Sequence, residues 1–143
     1  MNIIPATSAH LDLMITMDPY AQNHSDRRDE LVAAIQNGAA WVGIIGEQVV
    51  SYITFSYHFF GQGFINLVMT APSKTRQGYA RQIVKYVITI CKTQKIFTST
   101  NKSNTGAQRF FTALGFHGCG EITGLDDNDP ELFFMLDKTK AVA

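Results

Sequence analysis

Apolar and polar residues alternate through the middle of the chain with the two-residue period of a β-strand. The longest such stretch runs from Val49 to Phe60. One face of it carries Ile53, Phe55, Tyr57 and Phe59, and the other carries Tyr52, Thr54, Ser56 and His58. Shorter apolar segments bounded by turn residues predict six more strands: Ile3–Ile4, Ala40–Ile45, Phe64–Thr70, Ile96–Thr100, Phe116–Ile122 and Leu132–Leu136.

A period of three to four residues marks the predicted helices. Tyr79 to Lys92 has a wide apolar face, and Asn104 to Leu114 repeats apolar residues at helical spacing before Gly115. Near the N-terminus, Ser8 and Ser25 are predicted to cap two further helices. Pro19 is predicted to stop the first of these, and Gly38 follows the second.

The order of elements is one strand, two helices, three strands in a meander, then helix, strand, helix and two strands. A meander followed by a strand–helix–strand unit implies a mixed sheet with helices on both faces, which is an α/β (α+β) architecture. The helix after the meander predicts a right-handed crossover between parallel strands. No repeat or linker interrupts the pattern, so residues 1–143 are predicted to form a single domain.

Composition supports one compact folded domain without a membrane segment. Apolar residues make up 45% of the 143 residues and charged residues 17%, which favours a full core over disorder. No apolar stretch is long enough to cross a bilayer, and no secretory signal is recognisable. Cys91 and Cys119 form no metal-binding or disulfide pattern. We therefore expect a cytoplasmic protein without a metal.

Charge is unevenly distributed although the net charge is zero. From Gln48 to Gly120 there is no acidic residue, whereas most basic residues lie there: Lys74, Arg76, Arg81, Lys85, Lys92, Lys95, Lys102 and Arg109. This predicts a positive field in the middle of the chain, suited to an anionic ligand. A chance asymmetry on a solvated surface is the alternative. Nucleic-acid binding is not favoured, because the net charge is zero and no recognised binding motif is present.

The segment between the third meander strand and the next helix combines several features of an anion site. It reads Thr75-Arg76-Gln77-Gly78-Tyr79-Ala80-Arg81. A helix N-terminus has unpaired N–H groups, and small residues allow a phosphate to approach them. The spacing excludes a Walker loop and a Rossmann fingerprint.

This segment resembles the signature of the GNAT superfamily of acyl-CoA N-acyltransferases. The family has Arg/Gln-x-x-Gly-x-Gly/Ala after a strand ending in x-Pro, and the chain has Thr75 to Ala80 after Ala71-Pro72. A second family block is matched by Asn104-Thr105-Gly106-Ala107, Phe111 and Gly115-Phe116. The resemblance spans nearly the whole chain and implies a mixed, mostly antiparallel sheet of six to seven strands. It also implies an N-acyltransferase, most simply an N-acetyltransferase of a bacterial subgroup with uncharacterised substrates.

The resemblance implies roles for specific residues. Backbone groups of Val68 and Thr70 would pair with the pantetheine arm of acetyl-CoA. Asn104 would reach the pantetheine region, and Phe111 would lie near the thioester sulfur. The pyrophosphate would be held by the backbone N–H groups of Arg76, Gln77, Gly78, Tyr79 and Ala80, flanked by Thr75 and Arg81.

Three departures from the family pattern concern cofactor binding and catalysis. Thr75 stands where the family usually has Arg or Gln, which predicts weaker phosphate binding. Phe111 stands where many members have a proton-donating Tyr, and Phe cannot donate a proton. Water or a neighbouring Ser could take its place. The family's strand Glu is also missing from Phe64–Thr70, so Glu131, at the start of the last strand, is the first candidate base. The alternatives are that Glu131 and the acidic loop before it only solubilise the loop, or that they attract a cationic substrate without taking a proton.

The acceptor is predicted only by class, as a primary amine on a small molecule or a protein. His58, Phe59 and Phe60 are candidate acceptor-binding residues, although packing explains them equally well. Direct attack of the amine within a ternary complex is the expected mechanism. A non-catalytic acyl-CoA-binding regulatory module is the alternative, favoured by Phe111 and the missing strand Glu. Small enzymes of this type often form homodimers, and the sequence leaves the oligomeric state open.

Overall fold

The computed structural model describes residues 1–140. Its strands are β1 (Asn2–Pro5), β2 (Ala40–Ile45), β3 (Gln48–Phe59), β4 (Gln62–Thr70), β5 (Lys95–Asn101), β6 (His117–Ile122) and β7 (Glu131–Asp137). They form one sheet in the order β1-β2-β3-β4-β5-β7-β6. β1 with β2, β2 with β3, β5 with β7 and β6 with β7 pair antiparallel, whereas β4 and β5 pair parallel. The predicted mixed, mostly antiparallel sheet is confirmed.

Five α-helices accompany these strands within the described residues: α1 (Leu11–Met17), α2 (Pro19–Asn23), α3 (Ser25–Gln36), α4 (Tyr79–Ile90) and α5 (Thr105–Ala113). The prediction for Pro19 was incomplete, because it ends α1 and also begins α2, where its missing N–H costs nothing. The predicted caps were wrong by one residue. His24 precedes α3, while Thr7 precedes a 3-10 turn that leads into α1.

The chain is organised in two compact units. The first comprises Met1–Phe55 and Leu67–Ile90, and the second comprises Ser56–Asn66 and the chain from Cys91 onward. The core of the first unit joins Met14 of α1, Leu31 of α3, Val42 of β2 and Tyr52 of β3, all with no exposed surface. Helix α4 has its own fully buried stripe, formed by Ile83, Val84 and Val87.

The predicted two-faced pattern of β3 was wrong for its first half. Every residue from Val49 to Phe55 is buried, including Tyr52 and Thr54 on the face predicted to be polar. A strand in the interior of a sheet is covered on both faces and therefore tolerates few polar side chains on either. Exposure begins only beyond Phe55, where Tyr57 and His58 lie at the surface.

A buried carboxylate ties the helices of the first unit to its sheet. Asp18 is completely buried and accepts hydrogen bonds from the hydroxyl of Tyr52 at 2.6 Å and from Nη1 of Arg27 at 2.8 Å. Its Oδ1 also accepts from the backbone N–H of Tyr20 at 3.1 Å, which caps α2. Burial, and then the hydrogen bond to Asp18, raise the pKa of Tyr52 far above its ordinary value.

The second unit is built on β5, β6, β7 and the hairpin end of β3 and β4. β5 and β7 pair along their full lengths, from Lys95 opposite Asp137 to Asn101 opposite Glu131. Gly115 lies two residues after the end of α5, and its φ of 97° is unfavourable for other residues. A Cβ at Gly115 would also lie 3.3 Å from Cδ1 of Leu136. The glycine predicted to close this helix is therefore required by both conformation and packing.

Candidate functional site

The loop before α4 presents a run of unpaired backbone N–H groups. The first backbone N–H to bond within this helix is that of Gln82, which donates to the carbonyl of Gly78 at 3.0 Å. Among the described residues, the N–H groups from Arg76 to Arg81 have no hydrogen-bond partner. Unpaired donors at a helix N-terminus, where the helix dipole is positive, favour an anion.

The backbone of this loop is bent in a way that exposes those groups. Arg76 has a φ of 64° and Gly78 a φ of 82°. Left-handed residues next to ordinary ones are a feature of anion-binding nests, in which successive N–H groups turn toward one side. Arg76 adopts this conformation despite the steric cost of its Cβ, about 1–3 kcal/mol. An added Cβ at Gly78 would meet nothing within 4 Å, so the space above the loop is open.

Val68 and Thr70 lie on β4, directly before this loop. β4 pairs with β5 only from Gly63 to Ile65, although β4 continues to Thr70. Among residues 1–140, no strand is paired to that edge beyond Ile65. The Oγ1 of Thr70 is buried and has no hydrogen-bond partner. A buried hydroxyl without a partner is costly, and a bound ligand would satisfy it.

Asn104 and Phe111, the predicted pantetheine and thioester residues, both have structural roles in the second unit. Oδ1 of Asn104 accepts the N–H of Ala107 at 3.0 Å and so caps α5, which leaves its exposed amide NH₂ free. Phe111 is only 6% exposed, and its ring lies 5.1 Å from that of Phe110 and 5.4 Å from that of Phe116.

Glu131 has a specific hydrogen-bond donor. The hydroxyl of Ser99 on β5 lies 2.7 Å from Oε2 of Glu131 on β7, and both side chains are partly buried. Sequence reasoning did not single out Ser99. Ser99 lies opposite Phe133 in the β5–β7 pairing, so it is on the same face of the sheet as Glu131. This register is known only from the fold, and no pattern in the sequence indicated it.

The acidic loop before Glu131 is held in place in the same unit. Asp126 accepts from Nδ2 of Asn101 at 2.8 Å. Asp129 accepts from both the backbone N–H and the hydroxyl of Ser103, at 3.0 Å and 2.6 Å. These acids therefore organise the connection that leads into α5, in addition to contributing negative charge.

The three predicted acceptor-binding residues separate into two groups. His58 and Phe59 line a small open cavity of about 170 Å³ together with Ser56, Phe64 and Asn66. Phe59 also packs against Phe64, Phe97 and Phe133, with ring centroids 4.9 to 5.7 Å apart. Phe60 does not line this cavity. It occupies the hairpin tip with a φ of 54° and is 89% exposed.

No metal cluster or membrane helix accompanies these features in the part of the chain that the structure describes. No group of three or more His, Cys, Asp or Glu side chains is arranged to hold a metal ion within residues 1–140. Over the same residues, no helix is both long and apolar enough to span a bilayer.

Comparison with known proteins identifies the family. The model of the acetyltransferase (GNAT) family matches residues 11–116. A GNAT-family acetyltransferase from Bacillus cereus is 32% identical, with a TM-score of 0.88 and coverage of 96% of both chains. No protein with a curated function matches the sequence. The chain belongs to the GNAT family of acetyltransferases, enzymes that use acetyl-CoA.

More distant structures share the fold alone. The ribosomal-protein-S18-alanine N-acetyltransferase from Escherichia coli is 13% identical, with a TM-score of 0.80 over 99% of this chain and 96% of that one. The protein yncA from Salmonella typhimurium, solved with its cofactor acetyl-CoA, is 17% identical, with a TM-score of 0.73 and the same two coverages. The predicted family and fold are therefore confirmed.

Proposed function

We propose that this protein transfers an acetyl group from acetyl-CoA to a primary amine of a small-molecule or protein acceptor, by direct attack of the amine in a ternary complex. The observation that carries the proposal is the run of unpaired N–H groups from Arg76 to Arg81, on a loop bent by left-handed residues at Arg76 and Gly78. Backbone donors of this kind suit a pyrophosphate.

The residues of the cofactor site fit acetyl-CoA in chemical terms. Backbone N–H groups from Arg76 to Ala80 would hold the pyrophosphate. The Arg81 side chain would add positive charge, whereas the Thr75 side chain would contribute little. The side chain of Thr75 is directed to the carbonyl of Pro72, at a long 3.4 Å. The unpaired edge of β4 would take the pantetheine arm at Val68 and Thr70, as an added strand does.

Asn104 and Phe111 were each predicted to contact acetyl-CoA, and each would do so by a different part of its side chain. The free amide NH₂ of Asn104 is available to a pantetheine carbonyl, while its Oδ1 stays occupied as the helix cap. Phe111 would supply an apolar surface near the sulfur and no proton.

Acetyl-CoA supplies an activated acyl group on a weakly basic thiolate. The chain must supply a proton acceptor for the attacking amine. We propose Glu131 for this role, acting through Ser99. The Ser99 hydroxyl would take a proton from the amine nitrogen as its own proton passes to Glu131 Oε2. The nitrogen–carbon bond forms, the carbon–sulfur bond breaks, and the thiolate leaves without a side-chain acid at Phe111.

The cavity beside His58 and Phe59 supports an acceptor with an apolar portion next to its amine. Aromatic walls provide contact area, and Ser56 and Asn66 add hydrogen-bonding groups. Phe60 would contact a larger acceptor at the hairpin tip. The acidic loop before Glu131, held by the hydrogen bonds of Asp126 and Asp129, would attract a cationic acceptor by its negative charge.

Substitution of Gly78 tests this proposal. Gly78→Glu places a carboxylate against the N–H groups and should abolish acetyl-CoA binding in calorimetry. Gly78→Ala is the matched control, because it imposes the same strain of a positive φ, has open space for its Cβ, and adds no charge. It should retain most of the affinity. Equal affinity of Gly78→Glu and the wild-type protein would overturn the assignment.

Thiol release over a panel of amines separates the two candidate activities. Acetyl-CoA binding with amine-dependent release of free coenzyme A supports transfer. Binding without release for small amines, polyamines and peptides alike would favour the non-catalytic regulatory module instead.

A further inference from the structure

The first unit contains a cavity of its own. It has a volume of about 670 Å³ and opens to solvent. Its walls come from α1, from the β2–β3 hairpin and from the segment after β4. A cavity of this size is within the range of small-molecule sites. None of its lining residues is in the cofactor set or among the candidate acceptor residues.

The apolar part of this cavity has a buried floor and an exposed rim. Met17 and Val49 are nearly inaccessible, at 6% and 5% exposure. Leu13 and Ile45 remain 45% and 41% exposed. A ligand that covers these two side chains at the mouth of the cavity would bind more tightly, because burial of apolar surface is favourable.

The polar part of the cavity selects the charge of the ligand. Glu47 is the one ionisable side chain in its described lining, which contains no Lys, Arg or His. The side chains of Glu47, Gln48 and Ser73 make no hydrogen bond with other described residues. An aliphatic surface with one carboxylate and uncharged polar groups matches an ammonium attached to an apolar body.

We propose that this cavity is a second ligand site, which binds a primary alkylamine or a similar amphipathic cation. Its apolar body would lie on Leu13, Met17 and Ile45, and its ammonium would lie at Glu47. The ligand would also contact Ala71, Pro72 and Ser73, the segment that leads into the phosphate-binding loop. This site does not depend on the proposed acetyl transfer.

Calorimetry with n-octylammonium tests the proposal. We expect saturable binding, about tenfold tighter than that of octanoate, since Glu47 attracts the ammonium headgroup and repels the carboxylate headgroup. Octan-1-ol should bind with intermediate affinity. Octanoate or octan-1-ol binding as tightly as the amine would overturn the proposal, as would the absence of saturable binding.

Two variants and one control locate the site. Glu47→Gln should weaken octylammonium binding about threefold, as expected for an exposed ion pair, and Leu13→Ala about fivefold through lost apolar contact. Asp12→Asn, which removes an exposed acid on the same helix outside the cavity, should leave the affinity unchanged. Amide NMR shifts on titration should be concentrated at residues 45–49 and 71–73. Shifts confined to other residues, or equal affinity for Glu47→Gln, would contradict the assignment.

Discussion

The hydroxyl oxygen of Ser99 lies 2.7 Å from Oε2 of Glu131, although the two residues are 32 positions apart in sequence. β5 and β7 run antiparallel side by side, so the two side chains project from neighbouring strands. The Glu131 carboxylate accepts a hydrogen bond from the Ser99 hydroxyl. It can therefore take the proton of that hydroxyl while the hydroxyl oxygen accepts a proton from the amine. The pair is therefore suited to a relay between an amine and a carboxylate.

Substitution of Glu131 should separate catalysis from binding. Glu131→Gln should lower kcat by about a hundredfold, the lower end of typical general-base contributions, while the affinity for acetyl-CoA stays unchanged. The pH–rate profile of the variant should also be flatter, because Gln cannot accept a proton. Steady-state rates from acidic to neutral pH provide the measurement. A pH–rate profile identical to that of the wild-type enzyme would remove Glu131 from the mechanism.

Ser99 offers a matched pair of variants. Ser99→Ala removes the hydroxyl and should reduce kcat with little change in KM. Ser99→Thr keeps the hydroxyl on a residue that suits a strand and should restore most of the rate. Equal losses for both variants would point to a packing role for Ser99 and against the relay.

The hydroxyls of Thr70 and Thr54 are buried and have no hydrogen-bond partner among the described residues. Thr70→Val should leave the free protein equally stable or more stable by up to ~1 kcal/mol, because it removes an unsatisfied buried group. It should weaken acetyl-CoA binding about fivefold if Thr70 donates to the ligand. Thr54→Val is the control, expected to match the stability effect without the loss of affinity. Chemical denaturation and calorimetry measure both, and unchanged affinity of Thr70→Val would exclude this contact.

The hydrogen bond between Tyr52 and buried Asp18 should contribute measurably to stability. Tyr52→Phe should lower the free energy of unfolding by about 1.5–3 kcal/mol, as expected for a hydrogen bond to a charged group. Tyr86→Phe removes a hydroxyl that has no hydrogen-bond partner among the described residues and should have little effect. Urea denaturation at neutral pH compares the two variants, and equal stability of Tyr52→Phe and the wild-type protein would contradict this role.

The raised pKa of Tyr52 also predicts an alkaline effect. Above about pH 10 a tyrosine in the unfolded chain loses its proton, whereas Tyr52 in the folded protein keeps it. The unfolded state then binds fewer protons, so the free energy of unfolding falls as pH rises. Tyr52→Phe should show a shallower fall over the same range, and an identical slope would argue against burial of the neutral phenol.

Phe111 should contribute strongly to the free energy of unfolding, whatever its role near the cofactor. Phe111→Ala should lower the free energy of unfolding by about 3–5 kcal/mol, because a buried ring is replaced by a cavity. Phe60→Ala, at the exposed hairpin tip, should have almost no effect on stability. Thermal denaturation of the two variants checks the contrast, and a small loss for Phe111→Ala would mean that its ring is not part of the core.

Features that depend on neighbours in sequence were predictable from the chain alone. The apolar stripe of α4, Gly115 after α5 and the small residues of the loop before α4 follow from helical periodicity and backbone sterics. The family was indicated by the resemblance of Thr75–Ala80 and of the block from Asn104 to Phe116 to its sequence motifs.

Tertiary structure decided whatever depends on pairing across the sheet. The burial of Tyr52 and Thr54 on the face of β3 predicted to be polar depends on the elements that cover that face. The contact of Asp18 with Tyr52 and the Ser99–Glu131 pair join residues that local patterns cannot relate. Whether a polar residue is a partnered core group or a surface group depends on which strand lies beside it. The acid-free middle of the chain predicted an anionic ligand, but only the folded backbone shows that six consecutive N–H groups, from Arg76 to Arg81, lack hydrogen-bond partners among the described residues.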